Sequence, residues 1–268
     1  MKYNNYLVLI VPIIVYILLS VLYGHHNLIY VVLVLIALLL AFTVRQFVLA
    51  GKNQENWWNF FILPFFFTVS FVVFCALIPD IVFWKFSIFN IISFEATLVK
   101  SFFLLNSIFL YYYLRLAYCC LIKTDFHQHN RLENFSSGGN FLCFYFLISS
   151  IYGLQIYLNI SIWILMIIMT AVTALITYEI MWANKIEIES SFLYILFICL
   201  AIVELSWSAS FLTLSYYILG LIIAMCYYVL IGLTKFYLLG VINKKIVKLY
   251  LSFGFISIFI VLLTARWL

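Results

Sequence analysis

Runs of about twenty unbroken apolar residues recur along this chain, and they constrain its fold more than any other feature. A membrane-crossing helix needs about 20 such residues in a row. A membrane barrel strand instead alternates apolar and polar residues over about 10 positions. In a bilayer the backbone N–H and C=O groups must be satisfied within the spanning structure, so continuous runs of this length select helices. The composition agrees. The chain is 68% hydrophobic and 9% charged, against about 45–50% and about 25% in soluble domains. A soluble fold would have nothing to cover such a core with.

One polar stretch orders the apolar runs. SFFLLNSIFLYYYLRLAYCCLI is followed by KTDFHQHNRLENFSSGG, which reads as the longest loop, over 123–139. It carries Lys123, Asp125, His127, His129, Arg131 and Glu133. Four spans precede it, near 6–23, 28–50, 57–78 and 96–122. Five follow, near 141–158, 160–182, 191–207, 211–233 and 247–263. The first run follows Lys2 but is longer than the roughly 7–15 residues of a secretory signal's apolar region. It is therefore expected to be a retained span. DIVFWKFSIFNIISFE, residues 80–95, is apolar but interrupted by Asp80, Lys85, Asn90 and Glu95.

Charge decides how 80–95 is counted. With that segment interfacial or re-entrant, nine spans place Lys2, Arg45, Lys52, Arg115, Lys123, Arg131, Lys185, Lys235, Lys244, Lys245 and Lys248 on one side. The other side holds Lys85, Lys100 and Arg266, a split of 11 to 3. Cytoplasmic loops carry the Lys/Arg excess, so the N-terminus is expected inside and the C-terminus outside. If 80–95 spanned, every later loop would flip and the excess would face outward. No internal repeat and no Gly/Ser- or Pro-rich linker is visible, so residues 1–268 read as one all-α, polytopic, membrane-embedded helical bundle.

The composition and motifs exclude several functions. The net charge of +5 is explained by membrane orientation, and no clustered basic surface suggests nucleic acid. The six cysteines all lie within apolar runs, with no CxxC or Cys/His metal spacing. They read as small buried hydrophobes. Asp125, His127 and His129 alternate, but no distant partner motif completes a zinc site, so no metal or cofactor is expected. GxSxG, HExxH and P-loop motifs are missing, and no catalytic residue is assigned.

Ionisable groups within spans are costly and are functional candidates by default. Arg45, Arg115 and Glu179 reach similar depths near the cytoplasmic edge, at about 1.5 Å per residue. They could form a charged cluster gating a cavity, or simply snorkel to the headgroups. Lys100 and Glu204 sit at the opposite edge, as an ion pair or as two snorkelled groups. Glu204 is the first choice, because its side chain is short and Ser206, Ser208 and Ser210 follow it. Asn106 lies near mid-span with Tyr111, Tyr112 and Tyr113 beyond it. Tyr217, Gly220, Ala224 and Tyr228 share helical spacing, and Gly220 and Ala224 form a small-residue step that permits close helix approach.

In the last quarter, Val203-Glu204-Leu205-Ser206-Trp207, Ser210-Phe211-Leu212-Thr213-Leu214-Ser215-Tyr216-Tyr217 and the ending Leu262-Leu263-Thr264-Ala265-Arg266-Trp267 resemble uncharacterised multi-pass membrane proteins of bacterial candidate phyla. Those proteins carry proline after Phe-Leu, where this chain has Thr213. The resemblance implies a bacterial inner membrane and no known activity. From the residues themselves, a small permease or transport-related protein with a small-molecule substrate is expected. A subunit packing against another membrane protein and a lipid-modifying enzyme are the alternatives. A hydrated cavity reaching Asn106 would favour the first.

Overall fold

The computed structural model describes residues 2–24, 28–51, 56–77, 92–123, 126–186 and 188–265. These form nine helices in chain order: α1 (Lys2–Gly24), α2 (Ile29–Ala50), α3 (Trp57–Leu77), α4 (Ile92–Lys123), α5 (Phe126–Leu158), α6 (Ile162–Ala183), α7 (Ile188–Ala209), α8 (Tyr216–Leu238) and α9 (Lys244–Thr264). Among the described residues there is no strand. Stretches of eight helices are long and apolar enough to cross a membrane, and α1 adds a shorter apolar stretch, Tyr6–Leu22. The protein is a multi-pass helical membrane protein. Residues 80–91 lie outside the described residues, and Ile92–Glu95 form the first turn of α4.

One boundary differs from the sequence expectation. The segment expected as a loop over 123–139 is helical from Phe126, and α4 and α5 are separated only by residues 124–125. No proline interrupts 126–140, and Leu132, Ser136, Gly139 and Asn140 bury one face at helical spacing. Gly138 and Gly139 each cost a helix about 1 kcal/mol relative to alanine. A buried stripe continuing into Cys143 and Phe144 outweighs that. The helix has 33 residues, or about 50 Å at ~1.5 Å per residue, well beyond the ~30 Å hydrocarbon core.

No linker is visible in the sequence, yet the chain falls into two compact units, residues 1–138 and 139–268. In the first, α1 packs along α4 and α2, α2 also touches α3 and α4, and α3 touches α4. α3 is the most buried of the eight span-length helices. Lipid tails are as apolar as leucine, so close packing and interhelical hydrogen bonds hold such helices together. The first unit packs through aromatics. Phe67 stacks on Phe109 at 3.8 Å, and Phe47 meets Tyr118 edge-on at 5.4 Å.

In the second unit α6 lies against α7, α7 against α8, and α8 against α9. α5 and α8 meet at a small-residue crossing. A Cβ added at Gly220 would lie 2.9 Å from the Ser149 Cα. Helix approach at the Gly220 step is as the sequence suggests. α9 is peripheral and buries only Gly254, where a Cβ would come within 2.6 Å of Val229.

Candidate functional site

The second unit holds a polar group at a depth where solvation fails. Glu179 on α6 is 1% exposed. Ile176, Ile180, Met181 and Ala183 around it are also buried, whereas Leu175 on another face of the helix is exposed, so Glu179 lies on the enclosed face of α6. The carboxylate does not snorkel. Its Oε2 accepts a hydrogen bond from the side-chain amide of Asn140 on α5, itself 1% exposed. A charge in apolar surroundings persists only with such compensation.

A second polar contact lies two residues away on α6. The Thr177 hydroxyl is 3.1 Å from the Tyr227 hydroxyl on α8, and both residues are buried. Phe144, one turn beyond Asn140 on α5, stacks on the Tyr227 ring at 3.9 Å. Three helices thus place Asn140, Glu179, Thr177 and Tyr227 in one apolar interior. The arrangement can hold a proton or a small cation on a carboxylate flanked by an amide, with hydroxyls within the same unit.

Sequence spacing selected Glu179 but missed Asn140, Thr177 and Tyr227. Asn140 falls between the expected loop, 123–139, and the expected span, 141–158. The helical spacing in the sequence points to Tyr228 rather than to Tyr227, one residue before it. The buried stripe of α8 runs through Tyr216, Gly220, Ala224 and Tyr227, whereas Tyr217 is exposed and Tyr228 stacks on Tyr250 of α9 at 5.6 Å.

The other candidates are placed differently. Arg45 and Arg115 belong to the first unit and are exposed, the Arg115 Nη1 lying 3.5 Å from the Tyr111 hydroxyl. Glu204 is exposed on α7, and its carboxylate has no hydrogen-bond or ion-pair partner among the described residues. The Ser208 hydroxyl donates to the Glu204 backbone carbonyl at 2.9 Å. Lys100 is exposed on α4 and makes no ion pair among the described residues. Asn106 is fully buried on α4, and neither its amide nitrogen nor its oxygen has a partner among the described residues. The side chains of Asp125, His127 and His129 lie outside the described residues; among the described residues no group of three or more metal-ligating side chains is found. No protein-family model, no curated protein and no solved structure matches this chain.

Proposed function

We propose that this is a small permease or transport-related protein of a bacterial cytoplasmic membrane, with its N-terminus inside. In this reading Glu179 binds the proton or small cation that is moved or coupled. One observation carries it: a carboxylate buried within a membrane helix and held by the amide of Asn140. Carboxylates so placed mark ion pathways and proton relays. They are poor structural choices, since apolar residues replacing the carboxylate and its partner together pack as well without the desolvation cost. The test is flux through the full-length protein in liposomes carrying a pH-sensitive or a sodium-sensitive dye, driven by a potassium diffusion potential in sodium or choline medium. Wild-type vesicles should move protons or sodium faster than protein-free vesicles, and Glu179→Gln should return them to the protein-free rate. Wild-type flux no greater than that of empty vesicles, or flux unchanged by Glu179→Gln, would overturn the reading.

A further inference from the structure

A second site lies in the first unit, on its outer surface. Leu9, Pro12, Ile13 and Tyr16 of α1 face Leu104, Ser107, Ile108, Tyr111 and Tyr112 of α4 across an open groove of about 590 Å³. Its walls are apolar apart from the Ser107 hydroxyl and the tyrosine hydroxyls. The Ser107 hydroxyl is already turned back onto the Phe103 carbonyl at 3.0 Å. Leu9, Ile13, Leu104, Ile108 and Tyr112 are all exposed, so the groove opens outward from a membrane-embedded helix pair.

Leu104, Ile108, Tyr111 and Arg115 recur at i, i+4, i+7 and i+11, which is one face of α4. The groove therefore ends in a fixed positive charge. The Arg115 guanidinium, exposed and 3.5 Å from the Tyr111 hydroxyl, stands at its polar end.

We propose that this groove binds one anionic phospholipid, its acyl chain against α1 and α4 and its phosphate on Arg115 and Tyr111. Three points choose this occupant. The groove faces a solvent made of acyl chains. It runs from Leu104 to Tyr112, about 12 Å at ~1.5 Å per residue, close to one leaflet's half of the ~30 Å core. A partner helix would need a surface spanning the whole thickness. Finally, Arg115 sits at the groove's end, where a headgroup of that leaflet would lie. Arginine offers a phosphate a two-pronged donor, and Tyr111 adds a hydroxyl.

The experiment uses the full-length protein in phosphatidylcholine nanodiscs doped with a lipid carrying a diazirine on its acyl chain. The headgroup is either phosphatidylglycerol or phosphatidylcholine, and labelled peptides are mapped by mass spectrometry. The α4 peptide from Leu104 to Tyr112 should be labelled about fivefold more by the anionic probe, the contribution expected of one basic residue near the headgroups. Arg115→Gln, a change at an exposed position, should equalise the two probes without lowering the neutral one. Ile108→Trp, which fills the groove from its exposed rim, should reduce labelling by both. Equal labelling by both probes in wild type would overturn the proposal. So would a preference that survives Arg115→Gln, or labelling that Ile108→Trp leaves intact. A dimer by sedimentation that Ile108→Trp dissociates would give the groove to a second copy and overturn it too.

Discussion

The hydroxyl of Tyr113 on α4 donates to the main-chain carbonyl of Phe60 on α3 at 3.0 Å. That carbonyl lies four residues before Pro64, which has no N–H to return to it. The proline removes a helical bond inside the bilayer, and the neighbouring helix supplies a donor. One turn on, the Thr68 hydroxyl donates to the Pro64 carbonyl at 2.7 Å. The kink-prone residue is thus tied down both within its helix and across to α4.

Tyr113→Phe should destabilise the protein in detergent by about 0.6–1.7 kcal/mol, the range for interhelical hydrogen bonds in membranes. In a Pro64→Ala background the restored N–H takes over the Phe60 carbonyl, so the same change should cost less. Unfolding midpoints of the four proteins give the coupling. Additive effects would mean that the tyrosine does not serve the carbonyl left by Pro64.

The Gly220 crossing leads to a second expectation. A Cβ there meets the Ser149 Cα, which cannot rotate away as a side chain could. Gly220→Ala should cost about 1–3 kcal/mol, as overpacking does in close-packed interiors. The same substitution at Gly138, where nothing lies within 4 Å, should be neutral or stabilising. Replacing a helical glycine with alanine gains up to about 1 kcal/mol. Thermal unfolding of the two variants side by side checks both signs.

Asn106 provides a third. Its buried amide has no partner among the described residues, and such a group costs about 1–3 kcal/mol. Asn106→Leu should therefore raise the unfolding midpoint. A lower midpoint would show that the amide is satisfied by a bound molecule that the leucine expels.

How much of this was legible in the sequence depends on what each feature required. The helices were, because span length and apolar continuity are properties of single segments. The start of α5 was not. Ser136-Ser137-Gly138-Gly139 has a loop-like composition, and only the burial of Leu132, Ser136 and Asn140 on one face shows why it stays helical. The stripe on α8 was nearly read, but one residue in register separates Tyr228 from Tyr227. A 3.6-residue period cannot choose between i+7 and i+8 without knowing where the partner helix lies. Glu179 and Glu204 look alike by depth. Their difference is neighbourhood: Glu179 lies on a buried face of α6, whereas Glu204 lies on an exposed face of α7.

That contrast is testable. Glu204→Gln should change stability by no more than about 0.5 kcal/mol, as expected of an exposed residue without a partner. Glu179→Gln keeps an oxygen to accept from Asn140 and should fold. Glu179→Leu removes that acceptor and should cost about 1–3 kcal/mol. Chemical unfolding in detergent should therefore rank Glu204→Gln as the mildest change and Glu179→Leu as the most severe. A Glu204→Gln loss as large as that of Glu179→Leu would contradict the placement of the two carboxylates.

Sidedness gives the last expectation. Five described helices, α5 to α9, lie between Lys123 and Leu268. If each crosses once, fusions after these two residues must report opposite sides. The 11 to 3 division of Lys and Arg predicts Lys123 inside, because basic residues resist translocation. A fluorescent reporter fused after Lys123 should be bright, and alkaline phosphatase fused after Leu268 should be active. A third fusion, after Gly51, isolates the 80–95 segment. Only α3, that segment and α4 separate Gly51 from Lys123. Two crossings put both points inside, whereas three put them on opposite sides. Agreement between the Gly51 and Lys123 fusions would keep 80–95 out of the count of spans. Disagreement would make it a crossing and invert every helix after it.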